Sequence, residues 1–292
     1  QTEHEVRGYK RTAHANALQG VQTEFIGPDR VKQLVPIINI NGPRYPVLGG
    51  LWQARGGTAR HDAVAWGYAR ACSDMGMDII QKCEVTGVRQ TGGKVTGVST
   101  TRGDIDCDKL GIVVAGHSGQ LANMAGFRLP IESVALQALV SEPVKPCMDV
   151  VVMANTVHGY MSQSDKGEMV IGGGTDGHNN YTQRGSFHHI EETVRALVET
   201  FPMISRLKML RQWGGIVDVT GARSPILSKT PVEGVFINGG WGTGGFKAIP
   251  GSGWGFAELM AKGHSPLTDA FGLERFAEGR FIDESVAAGV AH

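Results

Sequence analysis

The sequence predicts an α/β or α+β chain with two sheets and a large antiparallel component. Three observations carry this expectation. Short β-branched and apolar stretches interleave with helical patterns along the whole chain. Glycine turns, clearest at Thr91-Gly92-Gly93 and Asp165-Lys166-Gly167, join successive strands directly. Glycine supplies 42 of 292 residues, about twice the average share. It shows no collagen period, so tight turns and close approaches of backbone to a ligand are its natural use.

The elements follow in order. Residues 5–20 are polar and helical in character, and Val21 to Ile26 reads as a short strand. Gly27-Pro28-Asp29 starts a short helix that Pro36 closes. Residues 37–60 are rich in loops. Val64, Ala65, Tyr68, Ala69, Cys72 and Met75 recur at helical spacing, which predicts a helix with one buried face that Gly76 stops. Asp78 to Ile80, Val85 to Val88, Lys94 to Thr101 and Asp104 to Val114 read as strands. A long strand runs from Pro130 through Val140, and a second β-rich block covers 150–174. A helix covers about 188–200, strands return at 209–219 and 235–238, and a glycine-rich loop leads to a helix near 253–262. The domain expectation is a first lobe over 1–130, an antiparallel sheet lobe over 131–220, and a return to the first lobe over 221–292.

Composition excludes several classes. Net charge is zero, with 28 basic and 28 acidic residues, so there is no electrostatic footprint for nucleic acid. No run of about 18 apolar residues is present to span a membrane, and no leader peptide is read at the start. The first residue is Gln1 rather than Met, which points to a processed chain or a fragment. Cys72, Cys83, Cys107 and Cys147 form no CxxC pair; they read as reduced thiols of a cytosolic protein.

Three segments carry chemistry. Arg55-Gly-Gly-Thr-Ala-Arg-His61-Asp62 runs into the helix described above. His61 lies three and four residues before Val64 and Ala65, which predicts a buried place in the first helical turn. The positive end of the macrodipole there favours a neutral, nucleophilic imidazole; a packed core histidine is the bland alternative. Gly239-Gly-Trp-Gly-Thr-Gly-Gly-Phe-Lys247 follows a strand and precedes a helix, an arrangement suited to an anion or a close ligand. It has no GK[ST] and does not open a βαβ unit, so it is neither a P-loop nor the usual dinucleotide fingerprint. Trp241, Phe246 and Ile249 argue against a flexible linker. Val113-Val-Ala-Gly-His-Ser118-Gly119 lacks the GxSxG spacing of a hydrolase elbow, and reads as a strand-to-helix turn near a cofactor. His188 and His189 are adjacent, which points them to different sides of a helix and gives poor support for a metal site; His158 and His178 are isolated.

Together with Cys83-Glu-Val85-Thr-Gly-Val, Gly103-Asp-Ile and Trp213-Gly-Gly-Ile-Val-Asp, these segments resemble the β subunits of heterotetrameric sarcosine oxidases. Those belong to the DAO-like FAD superfamily, whose FAD-binding lobe is of the glutathione-reductase type and is joined to an antiparallel substrate-domain sheet. The resemblance covers nearly the whole chain. Asp283-Glu284 and Ala287 to His292 resemble that family's C-terminus. It implies a noncovalent FAD that takes a hydride equivalent from sarcosine, a covalent FMN, and oxygen as acceptor. The implied products are glycine, hydrogen peroxide and 5,10-methylenetetrahydrofolate. It also implies α, γ and δ subunits as partners, NAD and tetrahydrofolate on the α subunit, and a cytoplasmic location. His61 matches the histidine that carries FMN. Val85 matches a backbone position on the adenine side of FAD. Gly242, Gly245 and Lys247 match the loop over the isoalloxazine ring, with Lys247 also able to bind the substrate carboxylate. A related amino-acid or dimethylglycine dehydrogenase, or a non-catalytic assembly module, are the alternative expectations.

One departure stands out. The family opens on a strand, GxGxxG and a helix that hold the FAD pyrophosphate, and no such segment occurs in these 292 residues. The expectation is therefore a chain lacking its first βαβ segment. In a titration, the isolated 292-residue chain is expected to take up no stoichiometric FAD; a tight one-to-one isotherm would overturn this.

Overall fold

A computed structural model describes residues 1–280 and 282. The closing features Asp283-Glu284 and Ala287 to His292 lie outside the described residues. In chain order the helices are α1 (Glu3–Leu18), α2 (Pro28–Leu34), α3 (His61–Asp74), α4 (Ser118–Met124), α5 (Phe187–Leu197), α6 (Gly245–Lys262) and α7 (Glu274–Ala277). The strands are β1 (Glu24–Ile26), β2 (Gly50–Trp52), β3 (Val85–Thr91), β4 (Lys94–Thr100), β5 (Gly103–Asp106), β6 (Leu110–Ile112), β7 (Ile131–Pro143), β8 (Val152–Ala154), β9 (Gly159–Gln163), β10 (Glu168–Thr175), β11 (Met209–Thr220), β12 (Ile226–Lys229) and β13 (Val235–Gly239). They gather into two compact units. One holds Gln1–Gly57 and Ser133–Val217, the other Thr58–Glu132 and Asp218–Ile282.

The first unit is built on a five-stranded sheet of order β11-β7-β10-β9-β8. β10 pairs antiparallel with both β7 and β9. One face of this sheet carries Leu139, Met161, Met169 and Ile171, which pack with Leu197 of α5 and Phe201 into one apolar cluster. α5 starts where Ser186 accepts the His189 N–H, an ordinary serine cap. α1 begins with a capping box, Thr2 accepting the Glu5 N–H and Glu5 accepting the Thr2 N–H. Only Thr12 and Ala13 of α1 are buried, in keeping with its polar sequence. β1 and β2 form a separate antiparallel pair.

The second unit holds two three-stranded sheets. β3, β4 and β5 form an antiparallel meander. Its first turn has positive φ at both Gly92 and Gly93, as a two-residue hairpin needs. The other sheet has the order β12-β13-β6: β13 runs antiparallel to β12 and parallel to β6. Both faces are covered. Ile112, Ile226, Val235 and Ile237 join one cluster, and Leu227 and Phe236 join another with Phe256 and Leu259 of α6. All five residues of β13 are buried, as a strand covered on both faces should be.

Four local expectations change. Asp78 to Ile80 is not a strand; Ile79 and Ile80 are about half exposed, at 47% and 51%, and no neighbouring strand pairs with them. The stretch read as one strand over 104–114 divides between β5 and β6, which belong to different sheets. α6 starts at Gly245, well before the expected helix near 253, and runs through Pro250. Glycine and proline propensities argued for a loop over 245–252; within the expected part of the helix, Gly255 lets Leu267 and Thr268 approach so closely that a Cβ would sit 3.2 Å from each. The first turns of α6 form against the local preference. Finally, α3 spans the expected residues, yet none of them is buried. Val64, Ala69 and Cys72 are half-buried, while Ala65, Tyr68 and Met75 are exposed. Periodicity reports that an apolar stripe exists, not that something covers it.

Candidate functional site

The parallel pairing of β6 and β13 organises the site in the second unit. Leu110, Gly111 and Ile112 stand beside Val235, Phe236 and Ile237. Both strands therefore end on the same side. Each continues through a glycine-bearing turn into a helix: β6 through 113–117 into α4, and β13 through 240–244 into α6. A crevice at the carboxyl ends of parallel strands is where open α/β sheets place ligands.

The first turn is rigid. Ala115 adopts a left-handed φ of 46°, and the fully buried Ser118 donates its hydroxyl to the Ala115 carbonyl at 2.7 Å. The expected strand-to-helix turn is present, and Ser118 is committed to holding it.

The second turn is held from β11. Gly240 and Gly242 have φ of 74° and 53°, a region that glycine enters without penalty. The Gly240 N–H donates to Asp218 Oδ2 at 2.5 Å, and the Gly242 N–H donates to the Asp218 carbonyl at 2.7 Å. Trp241 donates its indole N–H to Asn238 Oδ1 at 2.6 Å. Asp218 is only 3% exposed. Burial pushes its carboxyl above the ordinary range, partly offset by the backbone N–H groups of the turn. Sequence reading quoted Asp218 within the Trp213-Gly-Gly-Ile-Val-Asp motif but gave it no role; its distance of more than 20 residues from its partners hid the contact.

α6 then begins with no side-chain cap. Gly245 is its first residue and Lys247 its third, and Lys247 is exposed. A cation at the positive end of a helix gains nothing from the macrodipole. Helix end and ammonium together make this spot attractive to an anion. Phe246 beside it is 46% exposed.

The other expected site residues lie apart in the chain. His61 is the first residue of α3, as the sequence predicts, but it is exposed rather than buried. The reason is the uncovered stripe of α3: the residues chosen as its buried neighbours are themselves partly or wholly exposed. Next to it, Asp62 is held below the ordinary carboxylate range by its hydrogen bonds from Arg60 and the Ala63 N–H. Val85 opens β3, is half-buried, and stands opposite Thr100.

In the first unit, His188 and His189 do not part as expected: His188 Nε2 lies 3.2 Å and His189 Nδ1 3.6 Å from the Glu192 carboxylate, with their rings 5.8 Å apart, while His189 Nε2 lies 2.7 Å from the buried carboxylate of Asp176. Among the described residues no cluster of His, Cys, Asp or Glu could hold a metal ion, and no helix is long and apolar enough to cross a membrane.

The family profile described as FAD dependent oxidoreductase, DAO, matches residues 1–259. The chain belongs to that family. Within the DAO family it is similar to proteins named sarcosine oxidase subunit beta. It is 77% identical to the one from Rhodobacter capsulatus over all of its length and 70% of the relative's. It is 52% identical to the one from an Arthrobacter species, covering 99% of this chain and 72% of the relative. Among solved structures, L-proline dehydrogenase from P. horikoshii superposes with a TM-score of 0.89 at 24% identity, over 96% of this chain and 76% of that one. Glycine oxidase from Geobacillus kaustophilus gives 0.82 at 18% identity, over 94% and 73%. The DAO fold is thus shared with both, and the family implies FAD as the cofactor.

Asp218 generates a prediction of definite sign. A carboxyl raised by folding binds its proton more tightly in the native state than in the unfolded one. Its contribution is full below the ordinary carboxylate range and is lost as pH climbs through the raised value. Thermal melts of Asp218→Asn beside the parent, from about pH 3 to about pH 8, should show the variant gaining relative stability across that window and then levelling. A difference that is flat with pH would contradict the raised carboxyl.

Proposed function

We propose that this chain forms part of the flavin-bearing β subunit of a sarcosine oxidase, which oxidises the secondary amine of sarcosine. One observation carries the reading: in a chain 77% identical to such a subunit, Lys247 lies in the first turn of α6, directly behind a glycine turn that follows β13 at the carboxyl ends of β6 and β13. Gly242, Gly244 and Gly245 are only partly buried and carry no side chain, so a flat ring can come close to their backbone. The uncapped start of α6 and Lys247 suit a group on which negative charge develops. The chain's residues therefore fit the flavin that the family implies.

FAD, when bound, supplies the two-electron acceptor for the C–H bond beside the amine nitrogen. The chain does the rest. Gly242 and Gly245 would leave room for the flavin ring, and Val85 would offer backbone on the adenine side of FAD. Lys247 attracts the substrate carboxylate as a point charge and favours negative charge building nearby. The antiparallel sheet lobe over 131–220 would supply substrate contacts, and the lobe of 1–130 and 221–292 would hold the flavin. His61 would carry the covalent FMN through a ring nitrogen; the side chain is exposed at the start of α3, so it is open to reaction. In the full reading, α, γ and δ subunits join this chain in the cytoplasm, with NAD and tetrahydrofolate on α. Sarcosine then yields glycine and 5,10-methylenetetrahydrofolate while oxygen is reduced to hydrogen peroxide.

Two measurements test this. A tryptic peptide containing His61, taken from assembled active enzyme, should carry the added mass of FMN; recovery of the unmodified peptide at full yield would remove His61 from the reading. Lys247→Met in the full-length subunit keeps the unbranched stem and removes the charge. Losing a charge contact at such a site costs on the order of 2–4 kcal/mol, or roughly thirty- to a thousand-fold in rate. Stopped-flow reduction of the flavin by sarcosine, beside a thermal melt, reads it. A rate and affinity within about threefold of the parent would refute the role of Lys247.

A further inference from the structure

We propose that Asp218 is a positioning residue that grips the 239–244 turn and so sets where α6 begins and where Lys247 stands. Its role rests on the reading of Lys247 given above. The grip uses both parts of the residue. Its side chain accepts the Gly240 N–H and its main chain accepts the Gly242 N–H. These are the two left-handed positions of the turn, so one buried residue pins both of its special conformations.

The seating is close. A Cβ at Gly239 would lie 3.3 Å from Asp218 Oδ2, and one at Gly240 would lie 2.6 Å from the Thr220 side chain. The turn is thus pressed against the last residues of β11, and a shift of Asp218 passes to it directly. From there the path to Lys247 is short. Trp241, between the two gripped glycines, is anchored to Asn238, and its carbonyl accepts the Gly244 N–H at 3.0 Å. A Cβ at Gly245, the first residue of α6, would lie 3.1 Å from the Trp241 Cβ. Lys247 follows two residues later, in the first turn.

The chemistry of Asp218 supports position over charge. Its partners in the turn are backbone N–H groups. Burying a carboxyl carries a desolvation cost that these N–H groups offset, and an apolar residue in its place would leave the Gly240 N–H unmet. What it offers in return is an acceptor with no donor of its own, facing several N–H groups at once. An error of about 1 Å in a catalytic group costs on the order of a hundredfold, so holding the turn has a large effect on the reaction.

The test uses the full-length subunit in assembled enzyme. Asp218→Ala should slow flavin reduction by sarcosine on the order of tenfold or more, a one-decade effect corresponding to about 1.4 kcal/mol. Asp218→Asn keeps one acceptor oxygen of the same shape and should stay within about threefold of the parent. Hydrogen exchange, which needs no turnover, should quicken in peptides spanning 239–247 for Ala and not for Asn, with β6 and the second half of α6 unchanged. The double variant Asp218→Ala with Lys247→Met should be no slower than Lys247→Met alone, because both act through one ammonium. Where Ala fails to assemble, Asp218→Ser takes its place, with the same expected result. Additive losses in the double variant, or Asn as slow as Ala, would overturn the positioning role while leaving Lys247 its own. Lys247→Met at the parental rate would overturn both. Unchanged exchange at 239–247 in the Ala or Ser variant would overturn the grip alone.

Discussion

The candidate site depends on the parallel pairing of β6 with β13. Parallel strands end on the same side, so their following turns and helices are brought together without any further device. The pairing is secured from both faces, by Ile112 and Ile237 on one and by Phe236 against Phe256 and Leu259 on the other. Each fully buried side chain of this kind is worth about 1.5–3 kcal/mol of transfer free energy. That is enough to hold short strands in register, although β6 has only three residues.

Apolar burial fixes the frame but does not shape the turns. At the end of β6 the Ser118 hydroxyl holds a left-handed Ala115. At the end of β13 Asp218 holds two left-handed glycines. A net hydrogen bond of about 1 kcal/mol is small beside the core, yet leaving a buried donor unmet costs about 1–3 kcal/mol. The polar groups therefore act by excluding other turn shapes. A buried carboxyl is an expensive way to do so, and it stands where the turn leads into the residue on which the proposed chemistry rests.

The first unit uses the same economy on a different scaffold. Asp176 accepts from Gln137 at 2.9 Å and from Asn180 at 2.5 Å, beside the contact with His189. Gln137 in turn accepts the Ser186 N–H and the Gln212 amide. β7, β11 and the cap of α5 are thereby tied around one buried acid. Such a network specifies a unique packing when its members find partners, which suits a sheet wall that must keep its shape.

Much of the architecture was legible in the residues alone. Short apolar and β-branched stretches and the Gly92-Gly93 turn marked the hairpin, and the glycine run after 235–238 marked a strand, a turn and a helix start. The motifs around His61, Ser118 and Lys247 pointed to the family, and the family to FAD. These are local signals, carried by residues within a few positions of each other. What the tertiary structure decided is what depends on distant neighbours. α6 runs through Pro250 and begins at Gly245, eight residues before the helix the local propensities marked. His61 is exposed because an apolar stripe on α3 says nothing about what covers it. Asp218 owes its part to Gly240, 22 residues further along the chain, and no period or propensity in the sequence records that contact, because only the folding of β11 beside the end of β13 creates it.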